Sequence, residues 1–244
     1  MKPTPGRVFN PYRKLWHMLG LVIPLFLYLD LLSSIGEHAS RFWGIVILFC
    51  LIVLVFALDL ARFFLPPFRR FWYNTVGFLM KAEEAHRFNA TIPYLVASLL
   101  LFLFVGKELS LIACLYLMIG DPMAAFVGGR TGRFRFANGK SLEGLLAFIL
   151  AGALAAILFL LLHGLFFPQS VYALFQNPGP LLLAALCGSV FAAVAEFFSW
   201  TALRGLYDDN LSVPLAGALG FCLAGHYAGL PWSTLLFAVD RLFV

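Results

Sequence analysis

One glycine-rich stretch of the sequence combines a carboxylate, several cations and small residues. It starts at Gly120-Asp121-Pro122, continues through Gly128-Gly129-Arg130-Thr131-Gly132-Arg133, and is followed by Lys140-Ser141-Leu142-Glu143-Gly144. Arginine and lysine neutralise phosphate oxygens, and glycine lets a backbone approach them closely. Asp121 and Glu143 could hold Mg²⁺, which proteins bind through one or two carboxylates plus substrate phosphates. The stretch therefore predicts a site for phosphate and a divalent cation.

The same residues also allow a simpler interpretation. The run from Gly128 to Arg133 could be a flexible basic loop, and Ser141 could merely cap the following helix. Asp121 favours the site, because a charge inside an apolar segment costs at least about 2.5 kcal/mol and a plain loop does not need one there. The sequence contains neither a P-loop pattern nor the glycine loop of protein kinases.

The elements that must position these residues are apolar helices. Of the 244 residues, 62% are hydrophobic and 12% are charged, whereas a soluble domain is about half apolar and a quarter charged. This composition excludes a disordered chain, a coiled coil and a disulfide scaffold. Apolar runs predict helices at about 15–35, 42–65, 92–106, 109–128, 145–167, 180–203 and 211–229. The expected fold is an all-α polytopic membrane bundle of about seven transmembrane helices, forming a single domain over residues 1–244.

Basic residues are distributed unevenly among the predicted loops. If the N-terminus is cytoplasmic, 14 of the 17 lysines and arginines lie on that side, which leaves Arg41, Lys107 and Arg241 opposite. The positive-inside rule then predicts that the N-terminus and the site face the cytoplasm, in a bacterial inner membrane or an organelle membrane. We attribute the net charge of +5 to this orientation and expect no nucleic-acid partner.

Six carboxylates in or beside the predicted helices lie toward the same side as the basic loops. They are Asp59, Asp121, Glu143, Glu196, Asp208 and Asp209. Asp59 and Arg62 have the spacing of a helical ion pair, and Glu196 should pair with a cation from another element. A polar layer on one side only favours a site open to that side over a transport path.

The segment 66–91 mixes aromatic rings with cations, so we expect it to lie in the membrane interface, as an anchor or as one wall of a lipid entrance.

Several of these elements together resemble a known family. The pattern Asp121-Pro122-x-Ala-Ala-x-x-Gly128-x-x-x-Gly132, followed by Lys140-Ser141-x-Glu143-Gly144, resembles the signature of the CTP-dependent lipid-alcohol kinases. That membrane family includes dolichol kinase, phytol and farnesol kinases, and the CTP-dependent diacylglycerol kinase. The opening Arg13-Lys14-x-x-His17 and the late Glu196 with Asp209-Asn210-Leu-x-x-Pro214 also resemble it. Gly129 departs from the pattern, because these kinases often carry a basic residue there.

The resemblance implies transfer of the γ-phosphoryl group of CTP, with Mg²⁺, to the hydroxyl of a lipid alcohol dissolved in the bilayer. The alcohol could be a polyprenol, phytol, farnesol or diacylglycerol. The catalytic residues would be Asp121, Asp209, Glu143 and Glu196, with Asp121 and Asp209 as the metal ligands. The nucleotide-binding residues would be Gly128, Arg130, Gly132, Arg133, Lys140, Ser141 and Asn210, and the residues in contact with substrate or headgroups would be Arg13, Lys14 and His17.

Two other functions stay open on the sequence alone. Phosphatidate cytidylyltransferases share the central Asp…Gly…Lys-x-x-Glu-Gly core and make a CDP-lipid, but they add a late His-Gly-Gly…Asp-Arg…Asp signature. This chain has Asp208-Asp209-Asn210-Leu211 in the corresponding region, which favours the kinase. A membrane transporter or scaffold, the alternative of another class, would not need Asp121 and would more naturally show polar residues through the whole membrane depth.

Overall fold

A computed structural model describes residues 18–75, 77 and 87–243, and within these ranges the regular structure is helical, with isolated β-bridges only. The α-helices are α1 Val22–Tyr28, α2 Ala39–Phe64, α3 Pro66–Thr75, α4 Thr91–Phe104, α5 Lys107–Leu115, α6 Asp121–Thr131, α7 Leu142–Phe166, α8 Pro178–Phe197, α9 Asp209–Tyr227 and α10 Trp232–Leu235. Short 3₁₀ turns occur at Leu203–Gly205 and Val239–Phe243. The predicted all-α class is confirmed.

Four helical stretches in the described part of the chain are long and apolar enough to cross a membrane. They are α2, the continuous stretch Lys107–Thr131, α7 and α8. Helix α4 is apolar but has only 14 residues, and α1 has seven. The predicted number of seven spans is therefore not confirmed. Residues 15–17 of the first predicted span, 15–35, lie outside the described residues. Within the rest of that span, the chain leaves the helix after Tyr28, and Asp30 takes a positive φ of 51°.

The long helices run between two ends of the bundle. At one end, the N–H of Phe88 donates to the carbonyl of Arg204 at 2.8 Å. At the other, the N–H of Gly106 donates to the carbonyl of Leu235 at 3.0 Å. The first is called the site end and comprises residues 64–75, 87–91, 131–142 and 197–209. The second is called the opposite end and comprises residues 29–39, 104–107, 166–178 and 227–243.

Tyr116 occupies the centre of the core, where its exposed fraction is 0%. Its hydroxyl donates to the carbonyl of Ala185 at 3.0 Å. A Cβ atom at Gly152, Gly188 or Gly217 would lie 3.2, 2.6 or 2.6 Å from the tyrosine side chain. These glycines belong to α7, α8 and α9, so their lack of side chains lets the three helices close around one ring.

Tyr116 also begins a π-helical turn, Tyr116–Gly120, which joins α5 to α6. The turn stands directly before Asp121-Pro122. A proline ring clashes with the carbonyl four residues earlier and lacks an N–H donor, and a wider turn relieves both problems. The helix therefore continues without a break from Lys107 to Thr131, and Asp121 lies in its interior.

Helix α3 follows α2 directly at the site end. None of its residues is buried, and the ring of Phe68 contacts those of Phe71 and Trp72 at 6.2 and 5.9 Å between centroids. An exposed, amphipathic helix at the end of an apolar one is what the sequence predicts for the first part of 66–91. Its location in a membrane interface stays a prediction.

The opposite end carries more charge than the sequence analysis assumed. Lys107 pairs with Asp30 at 3.2 Å. The buried Arg41 donates to the carbonyls of Phe102 and Val105 and lies 3.9 Å from the ring centroid of Phe237. Arg41, Lys107 and Arg241 line one cavity of about 290 Å³ together with Asp30 and Glu37. These three cations do lie away from the site end, as expected, but the expectation of a polar layer on one side only is wrong. Ion pairing and carbonyl acceptors compensate the charges there.

Candidate functional site

The glycine-rich stretch forms the second half of α6 and the turn that leads into α7. A Cβ atom at Gly128 would lie 2.8 Å from Oγ of Ser141, and one at Gly132 would lie 2.3 Å from the carbonyl oxygen of Gly128. The glycines thus let α6 pack closely against the start of α7. Glycine allows a positive φ at several positions of this region. The glycine that adopts one is Gly139, where φ is 79°. Phosphate binding by the N–H groups of Gly128 and Gly132 stays a prediction.

Ser141 and Glu143 organise the first turn of α7. Oγ of Ser141 accepts a hydrogen bond from the N–H of Gly144 at 3.1 Å, so its role as a helix cap is confirmed. Oε1 of Glu143 accepts from the N–H groups of Arg133 at 2.9 Å and Phe134 at 3.4 Å. Its Oε2 is buried and has no hydrogen-bond partner in the described ranges. Glu143 therefore holds the chain that leaves α6 and retains one free acceptor.

Two further residues of this turn were not singled out from the sequence. Arg135 donates from Nη2 to the carbonyl of Gly128 at 3.0 Å and from Nη1 to that of Gly139 at 3.1 Å. Asn138 donates to the carbonyl of Phe197 at 2.7 Å and accepts from the N–H of Lys140 at 3.0 Å. The Asn138-Gly139 pair is a recognisable turn signal, whereas no local pattern indicates the contacts of Arg135. Arg135 thus ties the turn to α6, and Asn138 ties it to the end of α8.

Lys140 and Glu196 form an ion pair between this turn and α8. Nζ of Lys140 lies 2.7 Å from Oε1 of Glu196. The same ammonium donates to the carbonyl of Glu196 and, at 3.1 Å, to Oγ of Ser199. The charges of Asp121 and Asp209 also act on the Glu196 carboxylate. The expected cation partner of Glu196 is therefore confirmed, and two distant parts of the sequence meet in one charged cluster.

The start of α9 provides a second group of carboxylates. Asp208 caps this helix, with Oδ1 accepting from the N–H of Asn210 at 2.9 Å and Oδ2 accepting from its side-chain amide at 3.0 Å. Asp209 is the first helical residue. Burial and the adjacent charge of Asp209 raise the pKa of Asp208 to about 7, although its hydrogen bonds to Asn210 act in the other direction. Asp208 was not singled out from the sequence as the cap of this helix.

The remaining predicted residues are placed as follows. Arg130 is exposed and lies 4.0 Å from the ring centroid of Phe126, and Arg133 is exposed beside it in the chain. Both are at the site end, where their side chains can reach an anion. Arg13, Lys14 and His17 lie outside the described residues.

The candidate ligands for a divalent cation are carboxylates on separate helices. In the ranges 18–75 and 87–243, no group of three or more His, Cys, Asp or Glu side chains is close enough to hold a metal ion. The donors present are carboxylate oxygens, which suit Mg²⁺, and Mg²⁺ commonly takes its other ligands from phosphates and water. Asp121 and Asp209 stay predicted ligands of an ion that would arrive with a nucleotide.

Three curated proteins are similar to most of this chain, and each is named CTP-dependent diacylglycerol kinase 1. The Saccharomyces cerevisiae protein is 29% identical over 223 residues, which cover 85% of this chain and 70% of the relative. The Schizosaccharomyces pombe protein is 29% identical over 192 residues, covering 77% and 83%. The resemblance to the CTP-dependent lipid kinases is confirmed. The Eremothecium gossypii protein is 28% identical over 181 residues, so the match covers 68% of this chain and about half (53%) of that relative. No family model matches the chain, and no solved structure matches it.

Proposed function

We propose that this protein is a CTP-dependent lipid kinase whose acceptor is the hydroxyl of diacylglycerol. The observation that carries the proposal is the ion pair between Lys140 and Glu196, on whose carboxylate the charges of Asp121 and Asp209 also act. Lys140 belongs to the first half of the family pattern and Glu196 to the second, and the ion pair joins the two halves. The choice of diacylglycerol over polyprenols, phytol or farnesol is supported by the names of the three relatives.

In the proposed reaction, the hydroxyl oxygen of the lipid attacks the γ-phosphorus of CTP. The bond between that phosphorus and the β–γ bridging oxygen breaks, and CDP leaves. The hydroxyl proton passes to a carboxylate, for which Asp121 and Asp209 are the candidates. Phosphoryl transfer depends mainly on positioning and charge neutralisation. Bound Mg²⁺, held by whichever of Asp121 and Asp209 does not take the proton, would supply additional positive charge to the phosphates.

The protein's own cations would complete the nucleotide site. Arg130 in the last turn of α6 and Arg133 just beyond it are exposed, and their side chains would turn toward the phosphates of CTP. Lys140 is held by Glu196 at a fixed position near the start of α7, where the positive end of the helix dipole also favours an anion. We further propose that the site end faces the cytoplasm, because most of the basic residues lie on that side.

The test is a reaction of the purified protein in detergent with CTP labelled on the γ-phosphate, CTP labelled on the α-phosphate, or γ-labelled ATP. Diacylglycerol, phytol, farnesol and a polyprenol serve as acceptors, and Asp121→Asn serves as the inactive control. We expect γ-label from CTP to appear in phosphatidate while α-label stays in CDP. Label from the α-phosphate in a lipid, with release of pyrophosphate, would instead identify a cytidylyltransferase. No labelled lipid under any condition would refute the kinase assignment.

A further inference from the structure

We infer that the buried pair Asp59–Arg62, together with residues 87–89, is a positioning element for the start of α9. The inference rests on the proposed function, in which Asp209 acts at the phosphoryl-transfer site. None of the positioning residues is assigned to contact CTP or the lipid. Their action would be indirect, through the backbone that carries Asp208 and Asp209.

The first step of this connection is the ion pair itself. Nη2 of Arg62 lies 2.9 Å from Oδ1 of Asp59, and the exposed side-chain fractions are 0% and 1%. Both partners also bind the segment that precedes α4. Oδ2 of Asp59 accepts from the N–H of Asn89 at 2.5 Å, and Nη2 of Arg62 donates to the carbonyl of Arg87 at 2.6 Å. An ion pair within one helix can form while exposed to water. The burial of Asp59 and Arg62 is explained by their hydrogen bonds to residues 87–89, which compensate the loss of water from both charges.

The second step is Phe88, which lies between the two anchored residues. Its ring stacks on Phe56 with centroids 5.2 Å apart and an interplanar angle of 10°, and it meets the edge of Phe63 at 5.2 Å. Its N–H donates to the carbonyl of Arg204 at 2.8 Å. A Cβ atom at Gly205 would lie 3.1 Å from the carbonyl oxygen of Phe88. The segment is therefore in direct backbone contact with the turn before α9.

The third step is the conformation of that turn. Leu203, Arg204 and Gly205 have φ values of 50°, 56° and 98°. Positive φ is unfavourable for leucine and arginine, and such a backbone persists only where its surroundings hold it. The N–H of Ala202 donates to the carbonyl of Tyr207 at 3.0 Å, which closes the turn directly before Asp208. Contact with Phe88 thus determines where α9 begins, and with it the position of Asp209.

The competing explanation is that these contacts merely hold α2 and α4 on the bundle. In that case, weakening them would lower stability without a specific effect on turnover. A positioning role instead predicts a lower kcat with an almost unchanged KM for the lipid, because the phosphoryl-transfer groups move while the acceptor site does not.

Gly205→Ala and Gly229→Ala form a matched pair that separates the two explanations. The φ values are 98° and 107°, so both substitutions introduce comparable backbone strain. A Cβ at Gly229 would have no atom within 4 Å, and Gly229 lies at the opposite end, just beyond α9. We expect kcat to fall about tenfold or more for Gly205→Ala, with the lipid KM within about twofold of the wild-type value. Gly229→Ala, assayed where both variants are folded, should leave both constants within about twofold.

Phe88→Leu gives a second variant that retains the backbone N–H but removes the stacked ring. Hydrogen exchange of residues 206–212, measured without nucleotide, gives a readout that does not depend on activity. We expect faster exchange there in Gly205→Ala and Phe88→Leu but not in Gly229→Ala. Equal kcat values and equal exchange rates for the two glycine variants would overturn the positioning role. A wild-type protein that phosphorylates no lipid would refute the proposed function, while the exchange measurement would still test the backbone connection.

Discussion

The ion pair between Lys140 and Glu196 allows a prediction in which the two single substitutions have unequal effects. Lys140→Met leaves a carboxylate with an exposed side-chain fraction of 10% next to the charges of Asp121 and Asp209. Removing one partner of a buried pair costs about 3–5 kcal/mol, because the remaining charge stays out of water. We therefore expect Lys140→Met to lose roughly 3 kcal/mol.

Glu196→Gln should cost less, for three reasons seen in the structure. The ammonium of Lys140 is more exposed, with a side-chain fraction of 29%. It retains the carbonyl of Glu196 and Oγ of Ser199 as acceptors. The substitution also removes repulsion from Asp121 and Asp209. We expect a loss of about 1 kcal/mol, within the range of a single hydrogen bond.

Thermal unfolding in detergent, without nucleotide, tests this order. For soluble proteins of this size 1 kcal/mol corresponds to about 2–4 °C, so we expect Tm decreases of about 6–12 °C for Lys140→Met and about 2–4 °C for Glu196→Gln. The double variant should be more stable than Lys140→Met alone, because the unpaired carboxylate of Glu196 is then absent as well. Equal effects of the single substitutions, or strict additivity in the double variant, would refute this account of the pair.

The same variants address nucleotide binding, which unfolding alone does not measure. If Lys140 contacts the triphosphate, Lys140→Met should weaken nucleotide affinity or turnover by about 1–3 kcal/mol. Glu196→Gln keeps the ammonium and should have the smaller effect. The nucleotide and lipid concentration dependences must be measured separately. A defect confined to the lipid dependence would place Lys140 at the membrane entrance and move the triphosphate toward Arg130 and Arg133.

Three other predictions follow from the site and its surroundings. Asp121→Asn should abolish turnover while the protein still inserts in the membrane, and activity within about twofold of the wild type would exclude Asp121 as metal ligand or base. The pKa of Asp208 is about 7 in the fold, against an ordinary value of 3.8. Protonation of this carboxyl group therefore stabilises the fold. The stabilisation is fully present below about pH 4 and is lost as the pH rises through about 7. Asp208→Asn preserves a helix cap and should remove the part of the pH dependence of Tm that Asp208 causes. Tm is measured from about pH 4 to 8 for both proteins, and identical pH profiles of the variant and the wild type would contradict this prediction. A cysteine introduced at 168–178 should be labelled from outside the cytoplasm, and one at 134–139 only after permeabilisation, with the reverse pattern overturning the proposed orientation.

Local sequence patterns determined most of the helices and several contacts. Apolar runs predicted α2, α4, α7, α8 and α9 to within a few residues at most of their ends, because helix formation in an apolar segment depends on length and hydrophobicity. The spacing of Asp59 and Arg62 predicted their ion pair, and the serine before an apolar run predicted the cap at Ser141. Each of these features depends on residues within one or two helical turns.

Tertiary structure decided the contacts between distant segments. Lys140 and Glu196 are 56 residues apart, and their pairing depends on the turn at 134–142 docking on the end of α8. Gly128 and Gly132 allow α6 and α7 to approach each other closely. The sequence alone does not distinguish this role of the glycines from that of a flexible loop. The charged network at the opposite end likewise arises from packing. Helix formation depends on residues that are close in sequence. The groups that contact a buried charge or pack against a small residue are determined only when the helices assemble.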